Sequence, residues 1–165
     1  MFNIVLFEPE IPQNTGNIGR TCVATGTRLH LIGPMGFQIN EKAVKRAGMD
    51  YWKDLDVTEY EGYEDFVKKN PHARIYFATT KAKRRYTDVK FEDGCYLMFG
   101  KESAGIPEEI LVEHEETCIR IPMNEDIRSL NLSNSVAIVL YEALRQQDFA
   151  GLQSEGELHR LAWKK

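Results

Sequence analysis

The segment Ile121–Leu144 joins a polar loop to an apolar run, and its residue types could present backbone groups to a ligand. Residue types that favour a helix start come just before the apolar run: Asn131, Ser133 and Asn134. The apolar residues then recur at helical spacing. The loop holds Arg128 and Ser129 close to the predicted helix start, where free N–H groups and the helix dipole favour carboxylates and other anions. The pattern predicts a ligand-binding loop capped onto a buried helix.

A second polar loop, Glu8–Arg20, follows the first predicted strand and contains Gly16 and Gly19. This spacing lacks the G-x-G-x-x-G fingerprint of dinucleotide-binding folds. The second predicted strand ends in Gly33-Pro34, whereas a dinucleotide-binding fold has an acidic residue there that binds the ribose of the cofactor. A nicotinamide-dependent enzyme is therefore disfavoured.

Arg20 lies early in the helix predicted over Thr15–Thr25, where the helix dipole disfavours a cation. We expect a compensating anion, which is either a carboxylate such as Glu8 or Glu10 or a bound phosphate. A simple ion pair is the alternative to a functional role.

A third loop, Phe99–Pro107, also follows a predicted strand. Gly100 and Gly105 permit positive φ and close backbone approach, and Pro107 suits the first position of a helix. Taken alone, this loop is also typical of an ordinary strand–turn–helix connection.

Short apolar strands alternate with helices along the chain, which predicts an α/β fold with a mainly parallel sheet and helices on both faces. The predicted strands are Asn3–Phe7, Leu29–Ile32, Asp56–Tyr60, Arg74–Thr79, Tyr96–Phe99 and Thr117–Ile121. The predicted helices are Thr15–Thr25, Glu41–Ala47, Tyr63–Asn70, Pro107–Glu113 and Ser133–Gln147. The 165 residues suit one domain, and Gly151–Lys165 is either a short docking helix or a loosely attached tail.

Composition favours a cytosolic protein without membrane spans. The chain is 42% hydrophobic and carries a net charge of −4, which argues against a nonspecific binder of polyanions. It has no apolar run of about 20 residues, and a strand begins at once, so we expect no signal peptide. The widely spaced Cys22, Cys95 and Cys118 lack metal-ligand or redox spacing and are expected to be buried free thiols.

Two groups of cations could form local basic patches. Lys81–Arg85 places four cations directly after a predicted strand, at the end of an α/β sheet that commonly binds ligands. Lys42, Lys45 and Arg46 form a second group on a predicted helix. A solvated surface is the alternative interpretation for both.

Taken together, three motifs resemble the signature motifs of the SPOUT superfamily of knotted RNA methyltransferases in order and spacing. They are Asn14-x-x-Asn-x-x-Arg20, Phe99-Gly-Lys-Glu-Ser-x-Gly-Ile-Pro107 and Ile121-Pro-Met…Arg128-Ser-Leu-Asn-Leu-Ser-Asn-Ser-Val136. The chain is most similar to the minimal TrmL (YibK-like) branch, which methylates the ribose 2′-hydroxyl of the wobble nucleotide of tRNA. The resemblance covers roughly Met1–Gln147 and leaves the last residues unmatched.

The resemblance implies a C-terminal trefoil knot, a homodimer and S-adenosylmethionine bound in the knotted loops, with no metal. By position, the implied cofactor contacts are Ala78, Thr79, Thr80, Gly100, Lys101, Glu102, Ile121, Met123, Ser129 and Leu130. The long helix near Ser133–Gln147 would pack against its counterpart in the dimer.

Arg20 occupies the position of the catalytic arginine of related enzymes, with Asn14, Ser129 and Asn134 as supporting polar groups. Because arginine stays protonated, we expect Arg20 to orient the substrate and stabilise developing negative charge. The implied tRNA contacts are Lys81, Lys83, Arg84, Arg85, Lys42, Lys45 and Arg46.

Two rival hypotheses remain. One is a non-catalytic RNA-binding module of the same fold, and the other is a related methyltransferase that acts on ribosomal RNA or on another tRNA position. The sequence does not identify the tRNA isoacceptors, the choice between C and U, or a dependence on earlier base modifications.

Overall fold

Strands and helices alternate along the chain, of which the computed structural model describes residues 1–40, 42, 46 and 50–165. The strands are β1 (Asn3–Phe7), β2 (Arg28–Ile32), β3 (Val57–Tyr60), β4 (Ile75–Ala78), β5 (Arg84–Arg85), β6 (Tyr96–Phe99) and β7 (Cys118–Arg120). The α-helices are α1 (Pro12–Thr25), α2 (Tyr63–Lys69), α3 (Glu108–Leu111) and α4 (Leu132–Gln146). Two 3₁₀ helices cover Asp50–Asp54 and Val112–Thr117.

The seven strands form one parallel sheet in the order β3-β2-β1-β6-β4-β7-β5. Parallel neighbours require crossover connections. Helix α1 joins β1 to β2, whereas the segment between β4 and β6 contains β5 and no helix. The predicted α/β fold with a parallel sheet is therefore confirmed. The carboxyl ends of β4, β6 and β7 lie side by side, so the loops that follow these strands meet at one edge of the sheet.

Side chains of the central strands alternate between two apolar layers because successive residues of a strand face opposite sides. On one face, Ile4 and Leu6 of β1 pack in a cluster with α1 and α4. On the other face, Val5 and Phe7 pack in a cluster that contains Phe66 of α2 and Leu111 of α3. Both faces of the sheet are covered, as is usual for parallel sheets.

The predicted elements differ from the structure at several points, including the two 3₁₀ helices, which the sequence analysis did not predict. β5 was missed, because two exposed cations carry no apolar alternation and pair only with the neighbouring β7. α1 begins at Pro12 rather than Thr15. The segment Gly151–Lys165 forms no helix or strand, so the docking-helix alternative for it is wrong.

The predicted helix Glu41–Ala47 lies outside the described residues except for Lys42 and Arg46, which are helical and exposed. Lys45 is also outside the described part of the chain. Among the described residues, no helix is long and apolar enough to cross a bilayer.

A buried polar network surrounds His30 of β2. The side-chain amide of Asn3 donates to the carbonyl of Gly94 (3.1 Å), so its oxygen faces Nε2 of His30 at 2.9 Å. His30 Nε2 is therefore the protonated nitrogen, and Nδ1 accepts from the Tyr60 hydroxyl at 2.8 Å. Asn70 joins the network by donating to the Tyr60 hydroxyl. Both ring nitrogens of His30 therefore have a hydrogen-bond partner when the imidazole is neutral. Burial lowers the pKa of His30 to about 4.

Because the pKa of His30 lies below its unfolded value near 6.5, the unfolded chain binds more protons between these limits. The stabilisation from this neutral imidazole is complete above pH 6.5 and is lost as the pH falls toward 4. We expect the free energy of unfolding in denaturant to fall by up to about 3 kcal/mol across this interval on this account.

A His30→Gln variant should lose this part of the pH dependence, whereas His72→Gln, which changes an exposed histidine, should keep it. An NMR titration that places the pKa of His30 near 6.5 in the folded protein would contradict the expectation.

Candidate active site

Three loops enclose a cavity of about 450 Å³ at the carboxyl ends of β4, β6 and β7. All ten residues that the family resemblance assigns to the cofactor line this cavity: Ala78, Thr79, Thr80, Gly100, Lys101, Glu102, Ile121, Met123, Ser129 and Leu130. They come from three loops that are far apart in sequence. The crossovers of the fold bring them together at one place.

The cavity also contains residues that the sequence analysis did not assign to a site. Apolar walls come from Phe99, Ile106 and Leu132, and Asn131 and Ser135 add polar groups from the start of α4. All five lie within or directly beside the three motifs. The motifs therefore indicated the right loops but did not show which of these side chains line the cavity. The lining therefore combines apolar surface with polar groups, as ligand-binding pockets commonly do.

Gly100 allows the loop after β6 to fold tightly back on itself. A Cβ atom at this position would lie 2.1 Å from the carbonyl carbon of Gly105 and 2.3 Å from the nitrogen of Ile106. Gly105 has φ +70° and donates its N–H to the Lys101 carbonyl at 2.8 Å. Glycine is required at position 100 by this backbone approach and is favoured at position 105 by the positive φ.

Reciprocal carboxylate contacts join the loop after β1 to the loop after β6, and we call them the carboxylate clasp. The Glu102 carboxylate accepts from the N–H groups of Glu10 (2.8 Å) and Ile11 (3.1 Å) and from the Asn14 side chain (3.3 Å). In return, the Glu10 carboxylate accepts from the N–H of Ser103 at 2.8 Å. Hydrogen bonds from Ser103 lower the pKa of the Glu10 carboxyl.

A salt bridge between Lys101 and Glu8 adds to this junction, with its charged atoms 3.3 Å apart. Both side chains are partly buried. Glu8 is also one of the few residues other than glycine with positive φ in the described chain. The backbone after β1 thus turns sharply at the residue that pairs with the loop after β6.

The start of α4 confirms the predicted cap. The Asn131 side chain accepts from the N–H groups of Ser133 (2.9 Å) and Asn134 (3.4 Å). Asn131 and Ser135 face the cavity, whereas Asn134 is exposed and does not line it. Of the four predicted catalytic residues, Asn14 and Ser129 line the cavity.

The expected anionic partner of Arg20 is absent among the described residues. Glu8 pairs with Lys101, and Glu10 binds Ser103, so neither carboxylate compensates Arg20. The earlier start of α1 also removes the reason for the expectation, since Arg20 lies well inside the helix and away from its positive end. Arg20 is exposed and does not line the cavity of its own chain.

The cations of Lys81–Arg85 are largely paired with neighbouring groups. Lys81 binds Glu108 at 2.9 Å, and Lys83 binds Glu115 at 2.8 Å. Arg85 binds Asp88, and Arg84 donates to the backbone carbonyl of Glu116. This surface carries less net positive charge than its sequence suggests.

Comparison with known proteins identifies the family. The model of the SpoU rRNA Methylase family matches residues 1–141. The chain belongs to the SpoU methylase family. The tRNA (cytidine(34)-2′-O)-methyltransferase of Escherichia coli strain K12 is 49% identical over 152 residues, which cover 92% of this chain and 97% of that enzyme.

Solved structures of SpoU methylases and their relatives share the fold. A structure described as giving insights into the 2′-OH methylation of C/U34 on tRNA is 40% identical, with a TM-score of 0.83, and the match covers 90% of this chain and 97% of that one. The AdoMet-bound rRNA methyltransferase of Sinorhizobium meliloti is 26% identical, with a TM-score of 0.76, and the match covers 87% of this chain and 56% of that one. The predicted family is confirmed.

Replacing Gly100 by alanine should disrupt the cavity at the carboxyl ends of β4, β6 and β7, because the new methyl group would overlap backbone atoms that cannot rotate away. We expect Gly100→Ala to lower the free energy of unfolding by about 1–3 kcal/mol in a denaturant titration. Gly36→Ala is the matched control, since its Cβ would meet no atom within 4 Å. Equal stability of the two variants would contradict the tight loop packing.

Proposed function

We propose that this protein transfers the methyl group of S-adenosylmethionine to the ribose 2′-hydroxyl of nucleotide 34, a cytidine or uridine at the wobble position of tRNA. The observation that carries the proposal is the convergence of the three motif loops on one cavity. The close relative from Escherichia coli, named for this reaction, supports the choice of substrate. Because the proposed substrate is tRNA, we also propose that the protein acts in the cytoplasm.

The residues of the cavity fit S-adenosylmethionine. The volume of the cavity falls within the range of about 300–1,000 Å³ that is common for small-molecule sites. Apolar side chains such as Ile121 and Leu130 can hold the adenine ring, and the loop backbone can bind the polar groups of the ribose and amino acid. Two lining lysines, Lys81 and Lys101, are paired with carboxylates, which limits repulsion of the sulfonium. When bound, the cofactor would supply an electrophilic methyl group.

The polar residues of the cavity rim would position the ribose hydroxyl. Asn14 is buried and its amide is held by Glu102, so its orientation is defined before substrate binds. Ser129 and Arg128 line the opposite loop and are exposed to an entering nucleotide. A 2′-hydroxyl reacts only when it is aligned and its proton is shared, so much of the rate should come from this positioning.

We further propose a homodimer that completes the site. The outward face of α4 presents Ala137, Ile138 and Tyr141, of which Tyr141 is 45% exposed. A second subunit on this face would bring groups that one chain does not place at its own cavity. Arg20 is the foremost of these, because it lies on α1, which packs beside α4.

The remaining parts of the proposal follow from the same family. Lys81–Arg85 would contact phosphates by exchanging its carboxylate partners for RNA, with Lys42, Lys45 and Arg46 as additional contacts. The chain would form a trefoil knot. Gln146, near the end of α4, forms hydrogen bonds with the segment Val89–Phe91, and these are compatible with a knot. No metal is needed for methyl transfer.

The proposal predicts methyl incorporation into tRNA that lacks this single mark. Labelled S-adenosylmethionine, total tRNA from a strain without the modification and the purified protein should yield 2′-O-methylated C or U at position 34 on nucleoside analysis. Methylation of ribosomal RNA alone would replace the proposed substrate. Cofactor binding without transfer to any RNA would overturn the proposed activity.

Arg20→Ala should lower kcat about 100-fold or more, because a cation that stabilises developing negative charge is lost. Affinity for S-adenosylmethionine should change little, since the proposed role of Arg20 is to act on the ribose hydroxyl and not on the cofactor. Arg20→Lys should recover only part of the rate, because it lacks the planar guanidinium. Arg28→Ala removes an exposed cation at the start of β2 and serves as the control. Full turnover by Arg20→Ala would refute the catalytic assignment.

A further inference from the structure

The segment Leu158–Lys165, which we call the basic aromatic segment, is exposed and forms no helix or strand. Trp163 is 70% exposed and Leu161 is 74% exposed, which is unusual for such large apolar side chains. The segment contains three cations and no acidic residue: Arg160, Lys164 and Lys165. None of these cations has an ion pair with another part of the chain that the structure describes.

This arrangement contrasts with the basic surface near the cavity. There, Lys81 and Lys83 are already bound to Glu108 and Glu115. An RNA phosphate that binds those lysines must displace a carboxylate. The cations of the basic aromatic segment can bind a phosphate without displacing any group. Three cations without an ion pair therefore lie close in sequence to an exposed aromatic ring.

We propose that the basic aromatic segment binds single-stranded nucleotides of the tRNA substrate. Trp163 stacks on an unpaired base, and the three cations contact the adjacent phosphates. Aromatic side chains interleaved with cations bind single-stranded RNA in this way without sequence preference. The inference rests on the proposed function, because an anticodon loop is the part of tRNA that offers unstacked bases.

The reach of the segment allows this role. α4 starts at the cavity and extends for about 22 Å, given 15 residues at 1.5 Å each. Leu152 packs on the core beyond the helix, and the chain from there to Trp163 can extend about 36 Å. The segment can thus span the length of α4 and return to the cavity end of its own subunit.

The first experiment uses Trp163 as the reporter. The chain has two tryptophans, so Trp52→Phe leaves Trp163 as the only source of indole fluorescence. Titration with an anticodon stem-loop RNA should quench this emission with a saturable curve. A blunt, fully paired RNA duplex of equal charge should quench it much less, because it offers no unstacked base.

The second experiment separates the segment from the catalytic site. Trp163→Ala should raise KM for tRNA about tenfold, with kcat and affinity for S-adenosylmethionine unchanged. Trp163→Phe should restore most of the affinity by stacking. Replacing the three cations by glutamine should reduce the salt dependence of binding, with a slope smaller by up to about 2. Lys68→Gln removes one exposed cation of α2 and should have no comparable effect.

The results decide between clear alternatives. Unchanged RNA affinity and KM after Trp163→Ala and after removal of residues 158–165, with methylation intact, would overturn the proposal and leave the proposed function standing. A fluorescence response to phosphatidylserine vesicles but not to RNA would also overturn it. Saturable quenching by the stem-loop without methylation by any variant would support the RNA contact and reject the proposed function instead.

Discussion

The Glu102 carboxylate holds the start of α1 against the loop after β6, and the geometry of the cavity depends on this contact. The residue before α1 is Ile11, whose apolar side chain cannot cap the helix. No neighbouring side chain forms a cap hydrogen bond there either. Glu102 binds the Glu10 and Ile11 N–H groups from 92 and 91 residues away. Hydrogen bonds to an ionised carboxylate are stronger than neutral ones, and a negative charge at a helix start also meets a favourable dipole.

The clasp also determines which charges remain for a ligand. Glu8 and Lys101 neutralise each other beside the cavity, and Glu10 and Glu102 are satisfied by backbone N–H groups. Among the described residues, Arg128 is the cation of the cavity lining without an ion pair. The protein thus satisfies its own charged groups at the junction of two loops and leaves one cation to an incoming anion.

The sequence predicted the parallel sheet and the location of the cavity, because buried strands such as β1 and β6 are continuous apolar runs and because the motif loops follow strand ends. It did not predict the start of α1 at Pro12, since the carboxylate that holds the residues before this helix is Glu102 in another loop. Nor did it predict β5, or the ion pairs of Lys81 and Lys83 with an acidic stretch about 30 residues away. Local patterns identify elements and loops, whereas contacts between distant segments decide where a helix begins and which charges are free.

Charge pairing explains how a protein with a net charge of −4 can act on RNA. A large basic face would bind any polyanion, and its affinity would be lost at moderate salt as counterions compete. Here the Lys81–Arg85 surface carries its own acidic partners, so a phosphate gains there only by replacing a carboxylate that already satisfies the cation. That exchange favours a ligand whose phosphates match several positions at once over one that binds a single lysine. Under the proposed function, selection of an anticodon loop over bulk RNA then depends on shape and on unstacked bases, with electrostatic attraction as a secondary contribution.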